Sequence, residues 1–171
     1  MKFPLATRAS KLALWQAEAT ATALRAAWSD LSPELVEVTS SGDADQKSAL
    51  SRFGRIGIFT VEVDRVLLEG RAHAAVHSLK DMTTTLHEGT MLSGVLGRGP
   101  VEDVLVGAKL DDLPQSARVA TGSLRRAAML RAVRPDVEVV QIRGNVQTRL
   151  EKLARGDADA LLMARAGLER L

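Results

Sequence analysis

Short apolar runs alternate with amphipathic segments along most of this 171-residue chain. The periodicity predicts strands at 35–39, 74–77, 91–96, 104–106, 119–120, 137–142 and 158–163. It predicts helices at 10–28, 61–69, 123–133 and 145–154. Strands that alternate with helices at this spacing favour parallel α/β units, and polar residues that follow the strands then meet at one edge of a sheet.

The first long helix and the segments between elements carry local signals of their own. Ser10 is a suitable N-cap for that helix. Its predicted packing stripe consists of Leu12, Trp15, Ala19 and Ala23, and Trp28 is also assigned to a packing face. The polar segment Ser40–Gly57 predicts a loop, and Gly97–Pro100 predicts a crossing point or hinge.

Two arginine-rich turns, Thr121–Arg126 and Arg143–Arg149, stand where helices are predicted to begin. The helix dipole places about half a positive charge at that end, so cations there are unfavourable. Two helices that both break this rule indicate an anion site. The planar guanidinium suits carboxylate or phosphate. The alternative is that these are solvated surface arginines whose aliphatic stems pack on neighbours.

Arg8 follows the brief apolar start Leu5-Ala6, and the pair Lys80-Asp81 follows the predicted strand 74–77, so both are assigned to strand ends. Asp81 is predicted to be either a carboxylate within a basic site, where it would stabilise a cation or relay a proton, or a turn cap. Both interpretations remain open from the residues alone. His77 follows an apolar run and favours a hydrogen-bonded core histidine. Glycines in Gly54–Gly57 are more typical of turn geometry than of an anion cradle.

The composition restricts the class of protein and of site. Hydrophobic residues make up 46% of the chain, which suffices for a core, and the net charge is only +2. There is no cysteine, and the three histidines lack metal-ligand spacing, so no metal site is predicted. Aromatic residues are too scarce for a nucleic-acid stacking surface. Without a signal peptide or an apolar span, the expectation is a soluble cytoplasmic protein that binds no membrane.

Several sequence blocks resemble the porphobilinogen deaminase family, also called hydroxymethylbilane synthases, in their order and spacing along the chain. The matching blocks are Ala6–Ser10 with Leu12–Gln16, Ala75–Asp81, Gly122–Arg126, Arg143–Val146 with Thr148–Leu150, and Ala166–Leu168. The resemblance implies an α/β fold of two periplasmic-binding-protein-like lobes with mixed, mainly parallel sheets. Residues 1–97 would form domain 1, with the catalytic aspartate, and residues 98–171 most of domain 2, the arginine-rich lobe.

The resemblance also implies a transferase of tetrapyrrole and haem biosynthesis. Such enzymes join four porphobilinogen units head to tail, release ammonia at each addition, and build the linear polypyrrole on a dipyrromethane cofactor. Asp81 would be the catalytic carboxylate that stabilises the cation formed on deamination. The substrate-binding residues would be Arg8, Ser10, Arg143 and Arg149. The cofactor-binding residues would be Lys80, Thr121, Ser123, Arg125, Arg126 and Arg149.

The chain also departs from the family pattern. The family's third domain carries the cysteine that holds the cofactor, and this chain has neither that domain nor any cysteine. Strands that return to complete the first two domains are also missing. Ser41, Ile56, Pro100–Asp103 and Arg165 differ from the residues usual at these places. The expectation is therefore a fragment that works with a missing C-terminal domain or chain. The alternative is a non-catalytic, two-lobed polycarboxylate-binding protein.

Overall fold

The computed structural model describes residues 1–40, 57 and 59–171. Most of the predicted loop Ser40–Gly57, including Ser41 and Ile56, lies outside the described residues, as does most of Gly54–Gly57. Contacts between Cα atoms divide the chain into two compact units, Met1–Gly97 and Arg98–Leu171. Each unit is described by itself below.

The first unit is built on a small parallel sheet. Its elements are β1 (Lys2–Arg8), α1 (Lys11–Ala27), β2 (Ser32–Val38), α2 (Val61–Leu68), β3 (Ala74–Ala75) and a 3₁₀ turn at Leu79–Asp81. The strand order is β2-β1-β3, and β1 runs parallel to both neighbours. Because β1 is central, Leu5, Ala6 and Thr7 are fully buried. The carboxyl end of β1 therefore leads directly from the core of the unit to its edge.

Helix α1 begins where the sequence predicts, but it packs on a different face. The Ser10 side chain accepts a hydrogen bond from the backbone N–H of Ala13. The buried residues of α1 are Ala17 and Ala21, four positions apart, whereas Trp15 and Trp28 are 43% and 56% exposed. The predicted packing stripe is wrong, because small alanines on one face let the helix approach the sheet closely. Large tryptophans at that face would hold it away.

The second unit has a four-stranded mixed sheet. Its elements are β4 (Asp103–Val106), β5 (Arg118–Ala120), α3 (Leu124–Val133), β6 (Glu138–Val140), α4 (Val146–Ala154), β7 (Ala160–Ala164) and α5 (Arg165–Glu169). The strand order is β4-β7-β5-β6; β5 is parallel to β6 and β7, and β4 is antiparallel to β7. With the parallel first sheet, this arrangement confirms the predicted α/β fold with mixed, mainly parallel sheets.

Alternate residues of β5 and β7 bury opposite faces of the second sheet. Val119 and Ala160 belong to one core cluster with Leu130 of α3. The next residues, Ala120 and Leu161, belong to a second cluster, against which Val146, Leu150 and Leu153 of α4 pack. Side chains alternate across a strand, so α3 packs on one face of the sheet and α4 on the other, where Leu168 of α5 also packs. Helices α3 and α4 consequently start at the turns that follow the carboxyl ends of strands β5 and β6.

The predicted strand at 91–96 is wrong. This segment has no strand assignment and pairs with none of the described strands. Met91 and Val95 are 80% and 72% exposed. Apolar composition favours a strand only where a neighbouring strand supplies hydrogen bonds and buries the side chains. No described strand does so here.

Candidate functional site

The first unit brings Arg8 and Asp81 together. Arg8 ends β1, and Asp81 ends the 3₁₀ turn that follows the parallel strand β3. Arg8 Nη1 lies 3.7 Å from Asp81 Oδ2, with side chains 19% and 24% exposed. This distance allows attraction between the charges but exceeds a hydrogen bond. No described side chain donates a hydrogen bond to the Asp81 carboxylate, so both oxygens can accept from a ligand.

A small pocket surrounds this pair. Its other lining residues are Ala13, Gln16, Phe59, Val76, His77 and Ser78. The Arg8 guanidinium lies over the Phe59 ring, with Cζ 4.3 Å from the centroid. Ser78 Oγ donates a 2.7 Å hydrogen bond to Gln16 Oε1, which ties the segment before Asp81 to α1. Gln16 and Phe59 were not predicted as site residues from the sequence; the signal available for Gln16 is its position within the block Leu12–Gln16.

His77 is held from the side of α2. Its Nε2 lies 2.9 Å from Asp64 Oδ1, and the two side chains are nearly buried. This contact confirms the predicted hydrogen-bonded core histidine. Because His77 also lines the pocket of Asp81, the Asp64 contact stabilises one wall of that pocket.

Lys80 and Ser10 occupy different positions relative to this pocket. Lys80 is exposed on the 3₁₀ turn and forms no ion pair in the described part of the chain. Ser10 Oγ accepts from the α1 backbone, which leaves the hydroxyl hydrogen available to a ligand. Neither side chain lines the pocket that holds Asp81.

The first arginine turn of the second unit uses its polar residues to shape its own backbone. Thr121 is fully buried, and its hydroxyl accepts a hydrogen bond from Ser123 N. Ser123 caps α3 by accepting from Arg126 N. A Cβ atom at Gly122 would lie 2.9 Å from Ile142 O, so the turn approaches the neighbouring segment too closely for a side chain. Thr121 therefore presents no surface to a ligand in this structure.

Both arginines of this turn bind the same carboxylate. Arg125 Nη2 and Arg126 Nε each lie 2.8 Å from an oxygen of Asp103, the first residue of β4. Partial burial raises the pKa of Asp103, but the hydrogen bonds and charges of Arg126 and Arg125 together outweigh burial and hold this pKa below its ordinary value. In the sequence, Asp103 stands out only as part of the unusual segment Pro100–Asp103. No local pattern indicates that its carboxylate pairs with arginines more than 20 residues away, so its role as an anion from within the chain was not predicted.

The second arginine turn places Arg149 beside the first. Gly144 has a φ of 112°, and its carbonyl accepts a 2.8 Å hydrogen bond from Arg149 Nε. Asn145 Oδ1 caps α4 by accepting from Thr148 N at 2.9 Å. An added Cβ at Gly122 would lie 3.7 Å from Arg149 Nη2, so the guanidinium reaches the start of α3. The two turns thus form one site within the second unit.

Arg149 is the group in this site that most needs an anion. Burial lowers its pKa, and the charges of Arg126 and Arg143 lower it further. Among the described residues, no carboxylate forms an ion pair with Arg149. A guanidinium that is desolvated and repelled by two cations is unfavourable unless an anionic ligand compensates it. The geometry therefore supports the predicted anion site at Arg149 more directly than at Arg125.

Replacing Gly144 by alanine is expected to destabilise the second unit by about 2 to 3 kcal/mol, because a positive φ strains alanine and the Cβ would overlap a neighbour. That neighbour is Thr148, whose Cγ2 and Cβ would lie 2.7 and 2.8 Å away. Urea unfolding monitored by circular dichroism measures the loss. Gly70→Ala is the matched control, since Gly70 has a φ of 71° but open space around it. Equal losses in both variants would contradict the steric part of the explanation.

Within residues 1–40, 57 and 59–171, no cluster of three or more His, Asp or Glu side chains is arranged to hold a metal ion. No helix in the described part of the chain has the length and apolarity to cross a membrane.

Comparison with known proteins gives one family. A family model described as "Porphobilinogen deaminase, dipyromethane cofactor binding domain" matches residues 3–171. A porphobilinogen deaminase from Campylobacter curvus is 44% identical over 170 residues, which cover 98% of this chain and 55% of the relative. A probable porphobilinogen deaminase from Pyrobaculum islandicum is 47% identical over 174 residues, covering 100% of this chain and 58% of the relative.

A porphobilinogen deaminase from Xanthomonas axonopodis pv. citri is 48% identical over 170 residues, covering 98% of this chain and 56% of the relative. The chain therefore spans a little more than half the length of these curated relatives. The matching family model describes a domain that binds a dipyrromethane cofactor, whereas the chain contains no cysteine.

Proposed function

Because the chain belongs to the porphobilinogen deaminase family, we propose that it forms the substrate- and cofactor-binding part of an enzyme that condenses porphobilinogen. The reaction joins four porphobilinogen units head to tail and releases ammonia at each addition. The observation that carries the proposal is the partly buried Arg149 guanidinium, whose pKa is lowered by burial and by the charges of Arg126 and Arg143, and which forms no ion pair with a described carboxylate. Every pyrrole unit of the proposed ligands carries two carboxylates, and a carboxylate is the partner that Arg149 lacks among the described residues.

The residues of the second unit fit a dipyrromethane cofactor by charge. Arg149, Arg126 and Arg125 supply guanidinium donors, and the Ser123 and Asn145 turns open helices whose first N–H groups favour anions. We propose that the cofactor carboxylates are bound by Ser123, Arg125, Arg126 and Arg149. We propose that the substrate carboxylates are bound by Arg143 and Arg149. When bound, the cofactor supplies the pyrrole on which the chain is extended. The thioether attachment has no acceptor here, because the 171 residues include no cysteine.

In the first unit we assign the chemical step to Asp81. Departure of ammonia from the aminomethyl group leaves a cation conjugated with the pyrrole. A carboxylate that is only about a quarter exposed stabilises such a cation more strongly than water does. Its oxygens also suit the pyrrole N–H as hydrogen-bond acceptors. Arg8, held 3.7 Å from Asp81 and over the Phe59 ring, places a positive charge in the same pocket, and we propose that this charge attracts a substrate carboxylate.

The remaining assignments differ in their support. Lys80 is exposed beside Asp81, and we propose that it binds a cofactor carboxylate. Ser10 is proposed as a substrate hydrogen-bond donor next to Arg8. The burial of Thr121 favours a structural role for that residue, in which it orients Ser123, over direct cofactor contact. The full reaction further requires a domain or chain that carries the cysteine. We also propose that the protein works in the cytoplasm, where the growing polypyrrole remains in solution.

Isothermal titration of the chain with porphobilinogen tests the proposed function. We expect saturable binding of porphobilinogen that is at least about tenfold tighter than that of succinate, because only porphobilinogen combines carboxylates with a pyrrole N–H for Asp81. Equal affinity for both would favour the non-catalytic polycarboxylate-binding protein, an interpretation that family membership already disfavours. Absence of heat with porphobilinogen would contradict the proposal.

A further inference from the structure

The carboxylate of Asp103 occupies the arginine pair at the start of α3. Its Oδ1 accepts from Arg126 Nε and its Oδ2 from Arg125 Nη2, both at 2.8 Å. The Arg126 side chain is only 14% exposed, whereas that of Arg125 is 60% exposed. One carboxylate therefore holds a nearly buried guanidinium and an exposed one at the same time.

We propose that Asp103 is a positioning residue that directs the terminal N–H groups of Arg126 toward a bound carboxylate, beside Arg149. The identity of that ligand as a pyrrole carboxylate rests on the proposed function. The orientation of Arg126 by Asp103 does not rest on it.

The atoms used by Asp103 determine which donors remain for a ligand. Arg126 gives its Nε hydrogen to Asp103, and no described acceptor takes the hydrogens of its two Nη atoms. These groups form the fork that binds a carboxylate through two parallel bonds. A contact to Nη instead would have consumed that fork. Asp103 thus fixes the arginine without occupying its recognition edge.

Repulsion makes this restraint necessary. The positive charge of Arg126 acts on Arg149 strongly enough to lower the pKa of Arg149. Arg149 Nη2 reaches the Gly122 turn at the start of α3, so these two guanidinium groups repel each other and would separate if Arg126 were free to rotate toward solvent. Asp103 binds both arginines, but Arg125 is 60% exposed and extends into solvent, whereas Arg126 is held inside the unit. The restraint keeps two cations near one point, where a single ligand carboxylate can contact both.

The backbone of Asp103 is itself fixed. Asp103 begins β4 and lies opposite Ala164 in the antiparallel pairing with β7, a strand at the core of the second sheet. Only χ1 of its short side chain moves the carboxylate away from the strand, so the carboxylate stays close to this fixed backbone. Truncating the side chain would leave a space of carboxylate size between two guanidinium groups. A small free carboxylate should enter that space.

Titration of the Asp103→Ala variant with sodium acetate tests this inference, with the arginine Nε–H signals followed by ¹H–¹⁵N NMR. We expect acetate to bind this variant at least about tenfold more tightly than wild type. The reason is that acetate would accept the two charge-assisted hydrogen bonds that Asp103 accepts in the wild type. Asp157→Ala is the matched control. It removes a carboxylate that accepts a single hydrogen bond from one exposed arginine, Arg155, so its acetate affinity should stay at the wild-type level. Equal affinities in all three proteins would overturn the inference.

The isosteric Asp103→Asn variant provides a second measurement that does not depend on the folding of the alanine variant. Its amide fills the space, so acetate affinity should not rise, but the Arg126 Nε hydrogen should exchange with water at least about tenfold faster. An unchanged exchange rate would overturn the inference.

Porphobilinogen titration separates this inference from the proposed function. If both hold, Asp103→Ala weakens porphobilinogen binding and acetate restores part of the affinity. If acetate binds the alanine variant but wild type does not bind porphobilinogen, Asp103 positions the arginines and the proposed function fails.

Discussion

Substitution of Asp81 by asparagine is expected to lower porphobilinogen turnover by about 10²- to 10³-fold, the usual loss when one preorganised electrostatic group is removed from an active site. The amide has nearly the same shape as the carboxylate but carries no charge, so it cannot stabilise the cation that forms as ammonia leaves. The partner of Asp81 is Arg8 at 3.7 Å, too far for a hydrogen bond. Loss of this ion pair should change the stability of the fold by less than about 1 kcal/mol.

Ammonia release, measured with the chain joined to a cysteine-bearing domain of the family, provides the assay for Asp81→Asn. Asp112→Asn is the matched control because Asp112 is exposed in the second unit and forms no side-chain ion pair in the described chain. The control should retain the wild-type rate. A wild-type rate in Asp81→Asn would rule out the catalytic role, and unfolding by circular dichroism would show whether a low rate reflects loss of structure instead.

Replacement of Arg149 by methionine is expected to weaken porphobilinogen binding by about 10- to 100-fold without destabilising the protein. The binding loss reflects the missing charge-assisted hydrogen bonds to a ligand carboxylate. Stability should stay constant or rise by up to about 1 kcal/mol, because methionine fills the space while the cost of burying a charge near Arg126 and Arg143 disappears. The lost bond from Arg149 Nε to Gly144 O offsets part of this gain.

Calorimetry and urea unfolding measure the two effects of Arg149→Met on the same preparation. The exposed Arg131 of α3 provides a control, since Arg131→Met removes one positive charge from the same unit outside the site. A comparable loss of affinity in the control would mean that net charge, not the position of Arg149, controls binding. A large decrease in the free energy of unfolding of Arg149→Met would contradict the view that the charge of Arg149 destabilises the fold in the absence of a ligand.

Local sequence signals predicted the elements whose ends are stabilised by neighbours along the chain. Ser10, Ser123 and Asn145 cap α1, α3 and α4, each by accepting a hydrogen bond from a backbone N–H three residues ahead. Such caps depend on only a few consecutive residues, so they can be recognised without knowledge of the fold. The family blocks carried the same information for the site, because Arg8, Asp81 and Arg149 lie within them.

Predictions that depended on distant partners were less successful. The segment 91–96 is apolar enough for a strand but has no described strand beside it. Trp15 appeared to face the core from its spacing, yet the alanine face of α1 packs on the sheet instead. In both cases the residues are hydrophobic, as the prediction assumed. The prediction failed because the surface that could bury them is formed by residues elsewhere in the chain.

By itself, the sequence determined the α/β alternation, the helix starts and the family, since each depends on short motifs and their order. Only the tertiary structure decided how the charges are paired. Asp103 and Arg126 are 23 residues apart and meet because β4 returns antiparallel beside β7. Arg149 gained its unfavourable, partly buried position in the same way, from two turns at the end of one sheet. Coulombic interactions depend on distance in space and on burial, and the fold determines both.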